Sequence, residues 1–263
     1  RRYYLHPVIK TILERIALGI ATLFVVSLVI FSAIELLPGD FSQVILGQSA
    51  TQANMAAISK ELGLDQPPHL RYLQWIAGAV QGDLGTSFSG RNASGVDRSR
   101  EVVDLIAPRL SNTLFLASMT AIIAVPISLV LGVTSALYRN SFYDRSVNTA
   151  TLTTISFPEF FVAYILILTL SSLWPIFPSL ANVDADTVLS ERIYKSALPA
   201  LTLTLVIVAH MMRMTRAAII NLLASPYIQM ARLSGASQSE IIIKHALPNA
   251  WAPIATVIAF NLA

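Results

Sequence analysis

Apolar residues in this chain fall in long unbroken runs rather than at alternating positions, and polar stretches of very unequal length separate the runs. A helix rises about 1.5 Å per residue, so crossing ~30 Å of hydrocarbon takes about 20 mainly apolar residues. Residues 16–37 (IALGIATLFVVSLVIFSAIELL) meet that requirement, with Glu35 as their only charge, close to the far end. Residues 111–137 and 147–174 predict a second and a third span, interrupted once each, by Pro126 and Pro158. Proline is tolerated in lipid, often as a kink, so both are read as continuous. A fourth span is expected from Ala197 to Met212 or somewhat beyond. A fifth begins at Trp251 and is still apolar at Ala263, so it reads as incomplete.

Composition agrees with this pattern. Hydrophobic residues make up 54% of the chain and charged residues only 13%, where soluble domains carry about 25% charged; mean hydropathy is +0.63. The first run exceeds the ~7 to 15 apolar residues of a signal-peptide core, so it reads as a span. With no cysteine, disulfides and thiolate metal sites are excluded. The expectation is an all-α integral membrane protein.

Charge gives an orientation. With the N-terminus inside, the inner segments 1–15, 138–146 and 213–250 hold 10 Lys/Arg against 3 acids, whereas the much longer outer segments 38–110 and 175–196 hold 8 against 10. Short basic loops belong on the cytoplasmic side, so the N-terminus is expected there. Topology therefore explains the pI of 9.3 without a nucleic-acid partner. Three regions follow: residues 1–37, an N-terminal cytoplasmic segment with the first span; residues 38–110, an extracytoplasmic subdomain too short for a core of much stability; and residues 111–263, the remaining spans with a cytoplasmic loop at 225–250. Within 38–110, helical signals fall near 55–62 and 69–80.

Signals for catalysis are scarce. None of Lys10, Lys60, Lys195 and Lys244 follows a glycine, so no G-x-x-x-x-G-K-[ST] phosphate loop exists. The four histidines, His6, His69, His210 and His245, form no H-E-x-x-H pair, and no G-x-S-x-G elbow occurs. His210 with Met211, Met212 and Met214 is better read as packing than as a soft metal site, because Met at such spacing fills gaps between helices. Glu159 stands out inside "ISFPEFFVAY", where an ionisable group in lipid normally faces a bundle interior or a wet cavity. Two readings stay open: Glu159, flanked by Phe157 and Phe160, lines a path for a cationic or amino-bearing solute, or its carboxylate bonds groups freed by Pro158. Glu35, beside "LPGD", reads as an interface residue.

The polar stretch "ARLSGASQSEIIIKHALPNAW" at 231–251 has its own signals. Ser225-Pro226 starts a helix, with Ser able to cap and Pro preset for the first turn. Gly235 is placed to end it in a left-handed cap. Ser237-x-x-Glu240 then matches a capping box opening a second helix, with Ile241, Ile242, Ile243, Ala246 and Leu247 as its apolar face and Pro248 as its stop. Two helices on a glycine turn resemble a DNA-reading motif. Only Arg232 and Lys244 are basic across both, however, too few for phosphate contacts plus base reading. A compact cytoplasmic docking element remains.

At this point the sequence resembles a known family, the membrane subunits of ABC importers. Their cytoplasmic loop follows E-A-A-x3-G-x9-I-x-L-P; here Ala231, Gly235, Leu247 and Pro248 fit, while Gln229, Met230 and His245 depart from it. The His-Ala-Leu-x-Asn-Ala version at 245–250 and "RMTRAAIINLLASPYIQMAR" look like the peptide, opine and nickel branch. "LLPGDFSQVILG" (36–47), "ELGLDQPPHLRYLQWIAGAVQGDLGTSF" (61–88) and "IAPRLSNTLFLA" (106–117) are similar to that branch's first permease subunit.

The resemblance implies a type I ABC importer transmembrane subunit, with an extracytoplasmic insertion after the first helix, in a bacterial inner membrane. Members have six spans, which implies a chain truncated before the sixth helix. It further implies a second, homologous permease subunit, two cytoplasmic ATPases that bind ATP and Mg, an extracytoplasmic solute-binding protein, and no cofactor or catalytic site on this chain. The docking loop would comprise Tyr227, Gln229, Met230, Ala231, Arg232, Gly235, Ala236, Ser237, Glu240, His245, Leu247 and Pro248. Peptides lead as solute, ahead of opines, nickel chelates and oligosaccharides. An ion-coupled secondary transporter would be expected to show inverted repeats and several intramembrane carboxylates; a membrane-anchored scaffold would require neither the prolines nor Glu159.

Overall fold

The computed structural model describes residues 5–36, 42, 51–87, 100–184, 186–237 and 240–262. It comprises two units, residues 1–107 and 108–263. Most of the "LLPGDFSQVILG" stretch, and residues 88–99, lie outside the described residues.

In the first unit α1 (Leu5–Glu35) begins well before the predicted span. Two shorter helices follow, α2 (Gln52–Glu61), capped by the Thr51 hydroxyl, and α3 (Pro68–Val80), entered through Pro67-Pro68. A two-stranded antiparallel pair, β1 (Thr86–Ser87) with β2 (Arg100–Glu101), closes the unit. Helix α3 is held on α1 by an aromatic cluster. Tyr72 is buried between Phe24 and Phe31, with ring centroids 6.2 and 5.2 Å away, and its hydroxyl shares a 2.8 Å hydrogen bond with Ser27. Glu35, expected at an interface, accepts a 2.6 Å bond from Arg71 Nη2.

The second span is one helix, α4 (Val102–Leu137), with both Pro108 and Pro126 inside it. The third is not continuous. It breaks into α5 (Phe142–Ser156) and α6 (Glu159–Ile167, continued by a π turn to Leu173), bent by 99°. The cause is local: Pro158 excludes the residue before it from the helical region, and Phe157 sits at φ −96°, ψ 140°. Phe157 then stacks on Phe161 at 5.2 Å, holding the elbow.

After a short α7 (Leu189–Lys195), helix α8 (Ala197–Leu223) runs eleven residues past Met212. Helix α9 (Pro226–Leu233), a π turn (Ile241–Ala246) and α10 (Leu247–Leu262) complete the chain. Pro248 does not stop a helix. It lies in the first turn of α10, and the expected second short helix is the π turn leading straight into it. The wider turn relieves the clash that the Pro248 ring would make with a carbonyl four residues back, and the missing N–H costs nothing at a helix start.

Among the described residues, three helices are long and apolar enough to cross a membrane, and the α5–α6 pair makes a fourth if it counts as one broken span. Small residues at four-residue intervals, Thr120, Ala124, Ser128, Gly132 and Ala136, form the buried stripe of α4. Such stripes let helices approach closely where lipid offers no hydrophobic drive. At Gly132 the approach is extreme: a Cβ there would lie 2.8 Å from Thr215 Cβ and 2.9 Å from the Met212 carbonyl oxygen. Ala136 joins Ile219, Ala250 and Ile254 in the core shared by α4, α8 and α10.

Candidate functional site: a capped knob, its root and an open cleft

Helix α9 ends in a Schellman motif. Gly235 adopts φ +85°, its N–H bonds the Arg232 carbonyl at 3.0 Å, and the Ala236 N–H bonds the Ala231 carbonyl at 3.2 Å. The Ser237 hydroxyl then accepts the Glu240 N–H at 3.3 Å, as the capping box requires. The Glu240 carboxylate is held below the usual carboxylate range, first by its hydrogen bond to Lys244 (2.7 Å) and also by the Ser237 N–H. Ser225 occupies the predicted cap position but turns its hydroxyl back to the Leu222 carbonyl.

The knob has its own core, Ile228, Ile241 and Ala246, against which Ala231 and Ala236 pack. Tyr227 Oη and Asn249 Nδ2 donate to the His245 carbonyl at 2.9 and 2.8 Å, pinning the π turn to α9 and α10. Gln229 Nε2 reaches back to the Ala224 carbonyl at 3.4 Å. The residues named for the loop thus divide. Tyr227, Ala231, Ala236, Ser237 and Glu240 shape it, while Gln229, Met230, Arg232 and Gly235 face outward. Pro248 is exposed at the start of α10, and the Leu247 side chain lies outside the described residues. Leu233, which sequence reasoning missed, is 83% exposed at the tip beside Met230 at 64%. Its signal was available: an apolar residue directly before the glycine turn, off the face that carries Ile228.

The knob is rooted in a clasp between α8 and the start of α5. Asp144 Oδ1 accepts from Arg216 Nε (2.8 Å) and Asn148 Nδ2 (2.7 Å), and Oδ2 accepts from Arg216 Nη2 (2.8 Å) and the Asn140 N–H (2.9 Å). Asn140 holds φ +66° in the turn that aims this N–H, and Asn is among the few residues that tolerate that region.

Glu159 sits elsewhere. It opens α6 directly after Pro158 and lines a cleft of about 610 Å³ with Phe160 and Ala163 of α6 and Pro199, Thr202 and Leu203 of α8. Among the described residues its carboxylate has no hydrogen-bond or ion-pair partner. Phe157 faces Phe161 rather than this cleft. His210 does not converge with its methionines: Met211 and Met212 are fully buried, whereas His210 and Met214 border a separate polar pocket with Arg213, Arg216, Ala217 and Asn148.

Residues 124–263 match the family described as binding-protein-dependent transport system inner membrane component, and residues 8–117 match the N-terminal part of such membrane components. This chain belongs to that family. It is therefore a permease subunit of an ABC importer, with the type I membrane-subunit fold, and ATP hydrolysis in such systems lies in partner ATPases. Similar curated proteins include glutathione transport system permease protein GsiC of Escherichia coli strain K12, 34% identical over 95% of this chain and 76% of the relative. The same protein of Escherichia coli O6:H1 is 35% identical over 95% and 76%, and that of Salmonella paratyphi A 34% over 95% and 76%. For a permease of this family, a knob bearing on its outer surface and a cleft bearing an unpaired acid are the two places to look for coupling and passage.

Proposed function

We propose that the knob at 225–248 is the surface through which this permease subunit engages its ATPase, and that the solute it passes is a peptide or peptide-like molecule. The observation that carries the first part is the division of labour within the knob. A closed core of Ile228, Ile241 and Ala246 makes it rigid, and the side chains left outside at its tip, Met230 and Leu233, are large and apolar. A rigid apolar tip fits a cleft in a partner and transmits force, because the knob continues without a flexible linker into α8 on one side and α10 on the other. Motion of the partner would then tilt both helices, opening the chain alternately to the two sides.

The charge distribution supports a cytoplasmic N-terminus with the knob on the same side, where an ATP- and Mg-bearing subunit would be met. A second permease subunit, two ATPases and an extracytoplasmic binding protein complete the assembly in this reading. Peptide-like cargo is supported by relatives named for glutathione, a tripeptide, and by Glu159 in an apolar cleft with Phe160, suited to a solute's ammonium group.

Because the chain has no cysteine, Leu233→Cys offers a single thiol at the tip. In vesicles holding the assembled transporter, a maleimide bearing a photoactivatable benzophenone, attached through the single thiol, is expected on illumination to join Leu233→Cys to the ATPase and to leave Val80→Cys, at an equally exposed site of the first unit, unjoined. Equal crosslinking at both positions, or at Val80→Cys alone, rejects the docking surface.

A further inference from the structure

Helix α8 has two unlike faces. Ala200, Thr204, Met211, Met212, Thr215 and Ile219 are buried. On the other side Pro199, Leu203, His210, Arg213 and Ala217 fall within a stripe about 80° wide at 3.6 residues per turn. That stripe runs from the Glu159 cleft at one end to the polar pocket at the other, where His210, Arg213 and Asn148 meet a space of about 480 Å³. His210 is the middle residue of the helix, with thirteen residues on either side. Arg213 is exposed, and among the described residues neither it nor His210 has an ion-pair or hydrogen-bond partner.

Because α8 continues to Leu223, the cytoplasmic boundary falls beyond the position 213 used in the charge count. Measured from Ala197, His210 and Arg213 lie about 20 and 24 Å along the axis, in the inner half of a ~30 Å hydrocarbon layer. There a lipid-facing surface seldom carries unpaired ionisable groups, since each would be stripped of water without compensation. Arg216, one turn from Arg213, shows how this chain treats a cation that it means to bury: it is doubly bonded to Asp144. Arg213 has been left without that arrangement, on the same stripe as the unpaired Glu159 cleft and, from Leu203, about 15 Å further along the axis at 1.5 Å per residue.

We infer that the open face of α8 is the water-lined side of this subunit, and that Arg213, with His210 beside it, attracts the carboxylate of a passing solute at the end of the route opposite Glu159. The inference rests on the permease reading above. It adds a polarity to the route: an acid at one end and a cation at the other, matched to solutes that carry both an amino and a carboxylate group, as free peptides do.

The test uses the full-length chain assembled with cysteine-free partner subunits in sealed membranes. Single thiols are placed at Leu203→Cys and Ala217→Cys on the stripe and at Ala209→Cys, 1% exposed, on the packed side. Two water-soluble methanethiosulfonates are the probes, one bearing a sulfonate and one a trimethylammonium, each normalised to its rate with a small free thiol. Both should label positions 203 and 217 and spare 209. At 217 the sulfonate should be favoured by about three- to tenfold, as one cation within several ångströms in a partly wet site implies, and Arg213→Gln should abolish the preference.

Labelling at 217 only by a bilayer-soluble maleimide overturns the inference by placing Arg213 among lipid headgroups. No labelling at either position overturns it by placing the stripe in a subunit contact, and an unchanged preference in Arg213→Gln removes the role of that residue. Each of these results is compatible with ATP-driven uptake by the unsubstituted complex. Loss of the permease reading itself would instead appear as no such uptake.

Discussion

Asp144 and Glu159 lie fifteen residues apart on the two halves of one broken span, and the chain treats them in opposite ways. Asp144 is 3% exposed and accepts four hydrogen bonds, two of them from one guanidinium. Glu159, at the rim of an apolar cleft, accepts none among the described residues. A buried carboxylate is tolerable only when its lone pairs are filled, so the first is part of the frame. A carboxylate that the frame does not use is available to something that comes and goes. The same contrast separates Arg216 from Arg213 on α8, one clasped and the other open.

The contrast is broken most severely at the root of the frame. Gly132→Val should cost about 3 kcal/mol or more through overpacking against Thr215 and the Met212 backbone, and should show as loss of folded protein from the membrane. Gly19→Val, where a Cβ meets nothing within 4 Å, should accumulate normally. Equal accumulation of the two would mean that α4 and α8 do not approach as described.

Next comes the pair of acids itself. Asp144→Asn should lower stability by about 3 kcal/mol, the low end of the range for a broken buried pair because the Arg216 side chain keeps 22% exposure. Glu159→Gln should stay within about 0.5 kcal/mol while changing uptake of amino-bearing solutes relative to neutral ones. Thermal unfolding in detergent checks the first half and vesicle uptake the second. Matching melting shifts in the two variants would erase the distinction, and unchanged uptake across solutes of different charge would remove the role of Glu159. The smallest effect is expected in the first unit, where Arg71→Ala removes an ion pair whose carboxylate, Glu35, keeps 37% exposure against 4% for Asp144, and should cost no more than about 1 kcal/mol.

What could be read from sequence was whatever depends on near neighbours. The apolar runs located the spans, Gly235 foretold a left-handed cap, and Ser237-x-x-Glu240 foretold a hydrogen-bonded turn, because all three are settled within a few residues. Pro126 and Pro158 have the same local chemistry, yet α4 absorbs one and the third span breaks by 99° at the other. That difference depends on what each helix packs against and on the Phe157–Phe161 stack. The π turn before Pro248 was hidden for a similar reason, since the residue reads equally as a stop or as a first-turn proline. Asp144 and Arg216 lie 72 residues apart, and Glu35 and Arg71 lie 36 apart. Neither pairing leaves a trace in spacing. The Gly132 approach is likewise invisible until two helices are laid together.

The knob's role is tested most directly at Gly235. An added Cβ there meets nothing within 4 Å in this chain, so a side chain costs only the strain of a left-handed backbone, about 1 kcal/mol, unless a partner surrounds it. Gly235→Asp is therefore to be followed in sealed vesicles of the assembled transporter, with ATP hydrolysis and solute uptake measured on the same preparation. The account predicts normal amounts of subunit in the membrane, retained hydrolysis and loss of uptake. Undiminished uptake per ATP hydrolysed would contradict it.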